Sequence, residues 1–233
     1  MRKGFGVFCI VLGMCCLIAS VGWVMYNHWE EEKAQSASED MLQDIRENIL
    51  AHKQGESISG GNVLEEAIPE RDIPEGDITE ETSREESGHE NAVEITTEIP
   101  QEMLTTKVKG YDCIGVLSIP VLELELPVLT DWSYEKLKVA PCHYFGSYYE
   151  KDFVIAAHNY QPLFGRLSEL LPKDLILFTD ISGTVRCYEV VLLETLPANA
   201  TKEMITSGFD LSLYTCTPSG SGRVTVRCTA VGE

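Results

Sequence analysis

The last 130 residues of this 233-residue chain predict a mostly β domain, a closed or sandwich-like sheet with short helices, carried behind one membrane-spanning helix and an acidic linker. Three observations carry that prediction. Short apolar runs recur after residue 110, broken by Gly, Pro, Asp and Asn at intervals too close for long helices. Residues 4–26 contain no charged side chain, which is enough for a tilted span of a hydrocarbon core about 30 Å thick. Residues 54–103 hold fifteen acidic residues against Arg71 and Arg84 and no aromatic residue, so they cannot bury a core.

Taken in order, residues 1–29 form the anchor. Arg2 and Lys3 precede the apolar stretch and Glu30, Glu31 and Glu32 follow it, so the chain is expected to cross once, N-terminus in the cytoplasm and the rest outside. Trp23, Tyr26 and Trp29 suit the outer interface. A cleaved secretory signal is the competing reading, with small residues at Ile18-Ala19-Ser20, but the apolar run continues past them. Residues 30–53 carry Met41, Leu42, Ile45, Ile49 and Leu50 at helical spacing among charged residues, a sparse stripe expected to be a juxtamembrane stalk helix. Residues 54–103, with a net charge of −13 out of the chain's −19, should be a self-repelling tether. Residues 104–233 have a net charge of −4, too little positive charge for nucleic acid.

Within residues 104–233 two strands are expected at 111–120 and 122–128, the second strictly alternating. Helices follow at 132–139 and 164–171. Five more strands fall at 153–157, 175–179, 185–194, 211–215 and 223–231, giving seven, with another hidden near 142–148 or within 185–194.

Three residues at strand ends could carry chemistry. Leu211, Leu213 and Thr215 alternate up to Cys216; the turn cluster from Pro218 to Gly222 follows; Arg223 opens the next strand. Such a hairpin sets a thiol and a guanidinium on one rim. A thiolate attacking a carbonyl generates an anionic oxygen that a permanently charged Arg can stabilise. His158, ending the apolar run 153–157, can move protons. Arg227 lies on the same face as Arg223 but farther from the turn, which suits a surface ion pair. His143, flanked by Cys142 and Tyr144, reads as structural. Cys113, Cys142, Cys187 and Cys228 could pair in three ways or stay as small buried residues; Cys9, Cys15 and Cys16 belong to the anchor.

Ala156-Ala157-His158-Asn159-Tyr160, Phe164-Gly165-Arg166-Leu167, Phe178-Thr179-Asp180 and Leu213-Tyr214-Thr215-Cys216 with Arg223 resemble the sortases, membrane-anchored cysteine transpeptidases of the Gram-positive cell surface. The resemblance spans residues 111–231. It implies an eight-stranded β-barrel in which Cys216 is the nucleophile, His158 the acid and base, and Arg223 the oxyanion group, supported by Thr215. It further implies secreted proteins with C-terminal Leu-Pro-x-Thr-Gly-like sorting signals as substrates. The acceptor would be a primary amine of a peptidoglycan precursor cross-bridge, lipid II, or of a pilin Lys. No cofactor is expected, and no acidic cluster is specific enough to assert Ca²⁺ activation. The short segment 196–210 lacks room for the long insertion of class B enzymes. With no aromatic lid before the barrel and no second span after it, a housekeeping-like or class D-like enzyme is expected. Two other classes stay open. A hydrolytic cysteine peptidase would use the same thiol and His, although papain-like enzymes place Cys before His. A non-catalytic surface scaffold would need neither Cys216 nor Arg223.

Overall fold

The computed structural model of the protein describes residues 2–59 and 101–232. No proline interrupts residues 2–59, and Ala, Glu, Gln, Leu and Lys are frequent after the apolar stretch, so a single helix, α1 (Arg2–Ser59), forms there. From Ile10 to Tyr26 its side chains are exposed and, Ser20 apart, apolar, and the helix is long and apolar enough to cross a membrane. Most of the acidic tether, residues 60–100, lies outside the described residues.

The sparse stripe of α1 is a docked face, where a stalk was expected. Ala34, Ser38, Met41, Ile45 and Ile49, spaced by four, three, four and four, are all buried. Met41, Leu42, Ile45 and Ile49 join Val108, Cys113, Val116, Leu129, Ala140, Cys142 and Ile181 in one apolar cluster on the outside of the β domain. Burying a side chain of this size contributes about 1.5–3 kcal/mol. A polar rim surrounds the contact: Asn48 donates to Thr106 Oγ1 at 3.2 Å, Lys109 pairs with Asp44 at 3.3 Å, and Arg46 pairs with Glu125.

The β domain follows as β1 (Thr106–Val108), β2 (Tyr111–Ile119), β3 (Leu124–Leu129), β4 (Cys142–Phe145), β5 (Phe153–Ala156), β6 (Leu175–Asp180), β7 (Val185–Pro197), β8 (Leu211–Cys216) and β9 (Gly222–Ala230). Strands pair in the order β2-β3-β4-β5-β8-β9-β7-β6, and β6 pairs back onto β2, closing an eight-stranded mixed barrel. The ninth strand, β1, borders only the first residues of β2, ahead of the stretch that β6 occupies. Between those two partners β2 bulges at Gly115, where a Cβ would stand 2.2 Å from the Thr179 carbonyl oxygen; only glycine permits that approach. Leu117, Phe153, Ile155, Phe164, Phe178, Leu213 and Val226 fill the interior.

The hidden strand near 142–148 is β4. The helix expected at 132–139 is short, α2 (Tyr134–Leu137), capped by Ser133 Oγ accepting from Lys136 N at 3.2 Å. The helix expected at 164–171 is only a 3₁₀ turn, Leu167–Glu169. Its sequence is spent on a compact loop in which Leu163 N and Gly165 N both donate to Tyr160 O. Neither β1 nor α3 (Thr201–Ile205) was anticipated, each being too short to show a period.

Candidate active site

Strands β5 and β8 are parallel neighbours, and their register brings two of the three candidate residues together. Ala156 is opposite Tyr214, and the ladder extends through Ala157 N donating to Tyr214 O at 3.2 Å. His158 follows two residues after Ala156, just past the end of β5, as Cys216 stands two residues after Tyr214 at the end of β8. On the other side of β8, Cys216 is directly opposite Arg223 of antiparallel β9. His158, Cys216 and Arg223 therefore form a row across three adjacent strand ends at one rim of the barrel. Asn159, Gln161, Gly165 and Thr215 border a small cleft of about 120 Å³ beside Cys216.

Thr215 holds this row together. Its side chain points inward, 3 % exposed, and Oγ1 donates to Ala157 O at 2.8 Å. The bond joins the residue before His158 to the residue before Cys216. A hydroxyl has one hydrogen, and this one is committed to Ala157.

The five barrel thiols differ in exposure. Cys216 is exposed and Cys187 intermediate, while Cys113, Cys142 and Cys228 are buried, all as free thiols. Burial pushes the pKa of each of those three up to about 12, which makes them poor nucleophiles near neutral pH. Arg223 Nη1 donates to its own turn, to Gly222 O at 3.0 Å and Gly220 O at 3.4 Å, and forms no salt bridge among the described residues. Arg227 differs from the expected surface ion-pair partner in being buried, 2 % exposed. Its guanidinium binds Glu194 Oε1 and Glu203 O at 2.8 Å each and Ser212 Oγ at 2.9 Å, fixing α3 against β8 and β9.

His158 is half-buried. Its N–H donates to Leu137 O at 3.0 Å, and its carbonyl accepts from Phe164 N at 3.3 Å. Its ring lies on Tyr160 with centroids 4.0 Å apart and planes 30° apart, while Nδ1 is buried with no hydrogen-bond partner among the described residues. Burial, then the charge of Lys138, lowers its pKa against the opposing pull of Glu30 and Glu31, so the neutral imidazole is favoured. The loop that brings Tyr160 back depends on Gly165, where a Cβ would approach Asn159 O to 2.7 Å. His143 is structural, as expected: Nδ1 faces Thr130 O at 3.1 Å and Nε2 faces Gly146 O at 2.8 Å.

Sequence reasoning missed Tyr160 as a neighbour of His158 and missed Glu30 altogether. Tyr160 Oη donates to Glu30 Oε2 at 2.8 Å, joining residues 130 apart in the chain. A Tyr two residues past a candidate His was the one local signal; nothing local could have singled out Glu30.

Residues 117–231 match the family model of the sortase domain. No curated protein matches the chain. Sortase A from Corynebacterium diphtheriae is similar at 24% identity and a TM-score of 0.48, over 53% of this chain and 62% of that one. Sortase C of Streptococcus pneumoniae is similar at 26% identity and 0.47, over 52% and 67%. Sortase C1 of GBS Pilus Island 1 is similar at 23% identity and 0.46, over 52% and 65%. The chain thus spans about two-thirds or less of the length of these solved relatives.

Proposed function

The chain belongs to the sortase family through its β-barrel, and from that premise we propose that it is a membrane-anchored cysteine transpeptidase with Cys216 as nucleophile. The observation that supports this most is that the exposed thiol Cys216 ends β8 directly opposite Arg223 of β9, while His158 follows the end of β5, the parallel neighbour of β8.

In the first half-reaction Cys216 gives its proton to neutral His158 and the thiolate adds to the scissile carbonyl of a sorting signal. Arg223, uncommitted to any carboxylate among the described residues, turns from its turn carbonyls to the anionic oxygen. The C–N bond breaks, the departing amine takes the proton from His158, and a thioester remains on Cys216. In the second half a primary amine attacks the thioester. His158 accepts the amine's proton, the C–S bond breaks, and the proton returns to Cys216. A lowered imidazole pKa suits the proton-accepting steps near neutral pH. Thr215 serves as a strut between the two strand ends, since its only hydroxyl hydrogen goes to Ala157.

The substrates are secreted proteins with Leu-Pro-x-Thr-Gly-like signals, and the acceptor is an amine of a peptidoglycan precursor or a pilin Lys. The exposed apolar length of α1 supports a membrane anchor, and Arg2 and Lys3 before it with Glu30, Glu31 and Glu32 after it support a barrel outside the cell. The test is mass spectrometry of the full chain in detergent micelles, incubated with sorting-signal peptides and an amine acceptor. The expected product is amide-linked and disappears with Cys216→Ala. Release to water alone, in the presence of amine, would favour a hydrolytic peptidase; no reaction with any peptide would favour a scaffold.

A further inference from the structure

Most orienting arrangements for a proton-transferring imidazole use a hydrogen bond to the second ring nitrogen, which fixes tautomer and ring plane. Among the described residues His158 has none: Nδ1 is buried without a partner there, and the ring's close neighbour is the Tyr160 ring at 4.0 Å. Whatever fixes Tyr160 therefore fixes His158.

Tyr160 is fixed at both ends. Its carbonyl accepts from Leu163 N and Gly165 N, and its hydroxyl donates to Glu30 Oε2 at 2.8 Å. Glu30 is held in turn: its other oxygen, Oε1, accepts from Tyr26 Oη at 2.7 Å, one helical turn back. The helix that presents Glu30 is itself seated, because Ala34, Ser38, Met41, Ile45 and Ile49 continue the buried face along the barrel. Small residues at 34 and 38 allow the backbone of α1 to come close at this level. Glu30 follows Tyr26, the last residue of the uncharged stretch, by about 6 Å along the axis.

We propose that Glu30 and Tyr160 are positioning residues for His158, so that the docked helix leaving the membrane completes the catalytic site. This rests on the catalytic reading of His158 above. The charged and titratable groups that bear on the imidazole are Glu30 and Glu31 from α1, Lys138 after α2, and Tyr160 from its own loop. Among these, the α1 carboxylates oppose Lys138, favouring the protonated ring. A barrel detached from α1 would lose both the clamp on Tyr160 and that counter-charge.

The test reads His158 directly. Full chain in detergent micelles, carrying Cys216→Ala and ¹⁵N-labelled histidine, is titrated by NMR, with the His158 signals assigned by His158→Asn. Glu30→Gln and Tyr160→Phe should each move the His158 midpoint to lower pH. Glu30→Gln removes the carboxylate charge; Tyr160→Phe keeps the stacked ring but removes the bond that draws the carboxylate toward it, leaving Glu30 to Tyr26 alone. The double variant should move it no further than Glu30→Gln alone, while exposed Glu47→Gln leaves it in place. With Cys216 restored, either single variant should lower kcat about tenfold at unchanged KM, since the loss is one of orientation. Midpoints that stay at the native value in both variants, or a double shift equal to the sum of the singles, overturn the proposal. Because the titration needs no turnover, a native chain that shows the coupling but no transpeptidation would refute the catalytic reading and leave the clamp standing.

Discussion

Thr215→Val isolates one hydrogen bond while keeping the shape of the side chain. The native hydroxyl is buried, 3 % exposed, and donates to Ala157 O at 2.8 Å, tying the backbone beside His158 to the backbone beside Cys216. Valine fills the same space but leaves the carbonyl of Ala157, itself a buried residue, without this donor. Loss of a buried bond with one partner orphaned costs about 1–3 kcal/mol. For a domain of this size that corresponds to a fall in Tm of roughly 3–10 °C. If the bond also sets the spacing of the two strand ends, kcat for peptide cleavage should drop by about tenfold or more with little change in KM. Thermal unfolding and steady-state kinetics of the full chain would measure both, beside Thr215→Ser, which keeps the hydroxyl and loses the methyl group. The reasoning fails if Ser and Val are equally impaired, because the hydroxyl is then not the cause. It also fails if Val chiefly raises KM, since that would mean that the side chain contacts substrate.

The two arginines of β9 should separate cleanly. Arg223→Gln is expected to leave Tm unchanged and to lower kcat by at least about 100-fold, whereas Arg227→Ala, which strips Glu194 and Ser212 of a buried partner, should cost about 3 kcal/mol in denaturant unfolding. Gly115→Ala should destabilise the barrel by about 2–3 kcal/mol, because a methyl group would stand 2.2 Å from Thr179 O at the bulge; an unchanged unfolding midpoint would show that β2 can slide to make room. Asp180, 2 % exposed, is subject to burial that raises its pKa, but bonds from Ser182, Arg186 and Thr184 outweigh that and hold it below the usual value. Its contribution to stability is therefore present above the unfolded carboxyl pKa of about 3.9 and lost as pH falls through the lower folded value. Asp180→Asn should flatten the acid side of the stability profile in that window, and a profile as steep as the native one would contradict this.

The positions of the candidate residues were legible because strand ends are marked in local sequence. Cys216 ends an alternating strand, a turn-rich loop separates it from Arg223, and His158 ends another apolar run, so each residue announced its own place on a strand end. The many short strands were legible for the same reason, because Gly, Pro and Asp punctuate them; the pattern fits a sandwich as well as a closed sheet, and the eight-stranded barrel was implied by the family resemblance instead. The pairing of β5 with β8 was not, since two parallel strands 54 residues apart exchange partners only after the chain between them has folded. That pairing, rather than any motif, is what brings the end of β5, which His158 follows, beside the end of β8, where Cys216 stands. Arg227 illustrates a second limit. Spacing put it on the same face as Arg223, but only the packing of α3 decided that it would be buried and bound to Glu194. The stripe of α1 is a third. Five apolar residues among charges are too few to distinguish a stalk from a docked helix by periodicity alone, because the free energy that decides between them belongs to the complementary patch of Val108, Val116, Leu129 and Ile181 on the barrel. Local pattern determined which residues stand at strand ends and what chemistry they can do. Contacts between segments far apart in sequence, whose strength depends on both surfaces at once, decided that Glu30 would reach Tyr160 and that His158 would lie beneath it.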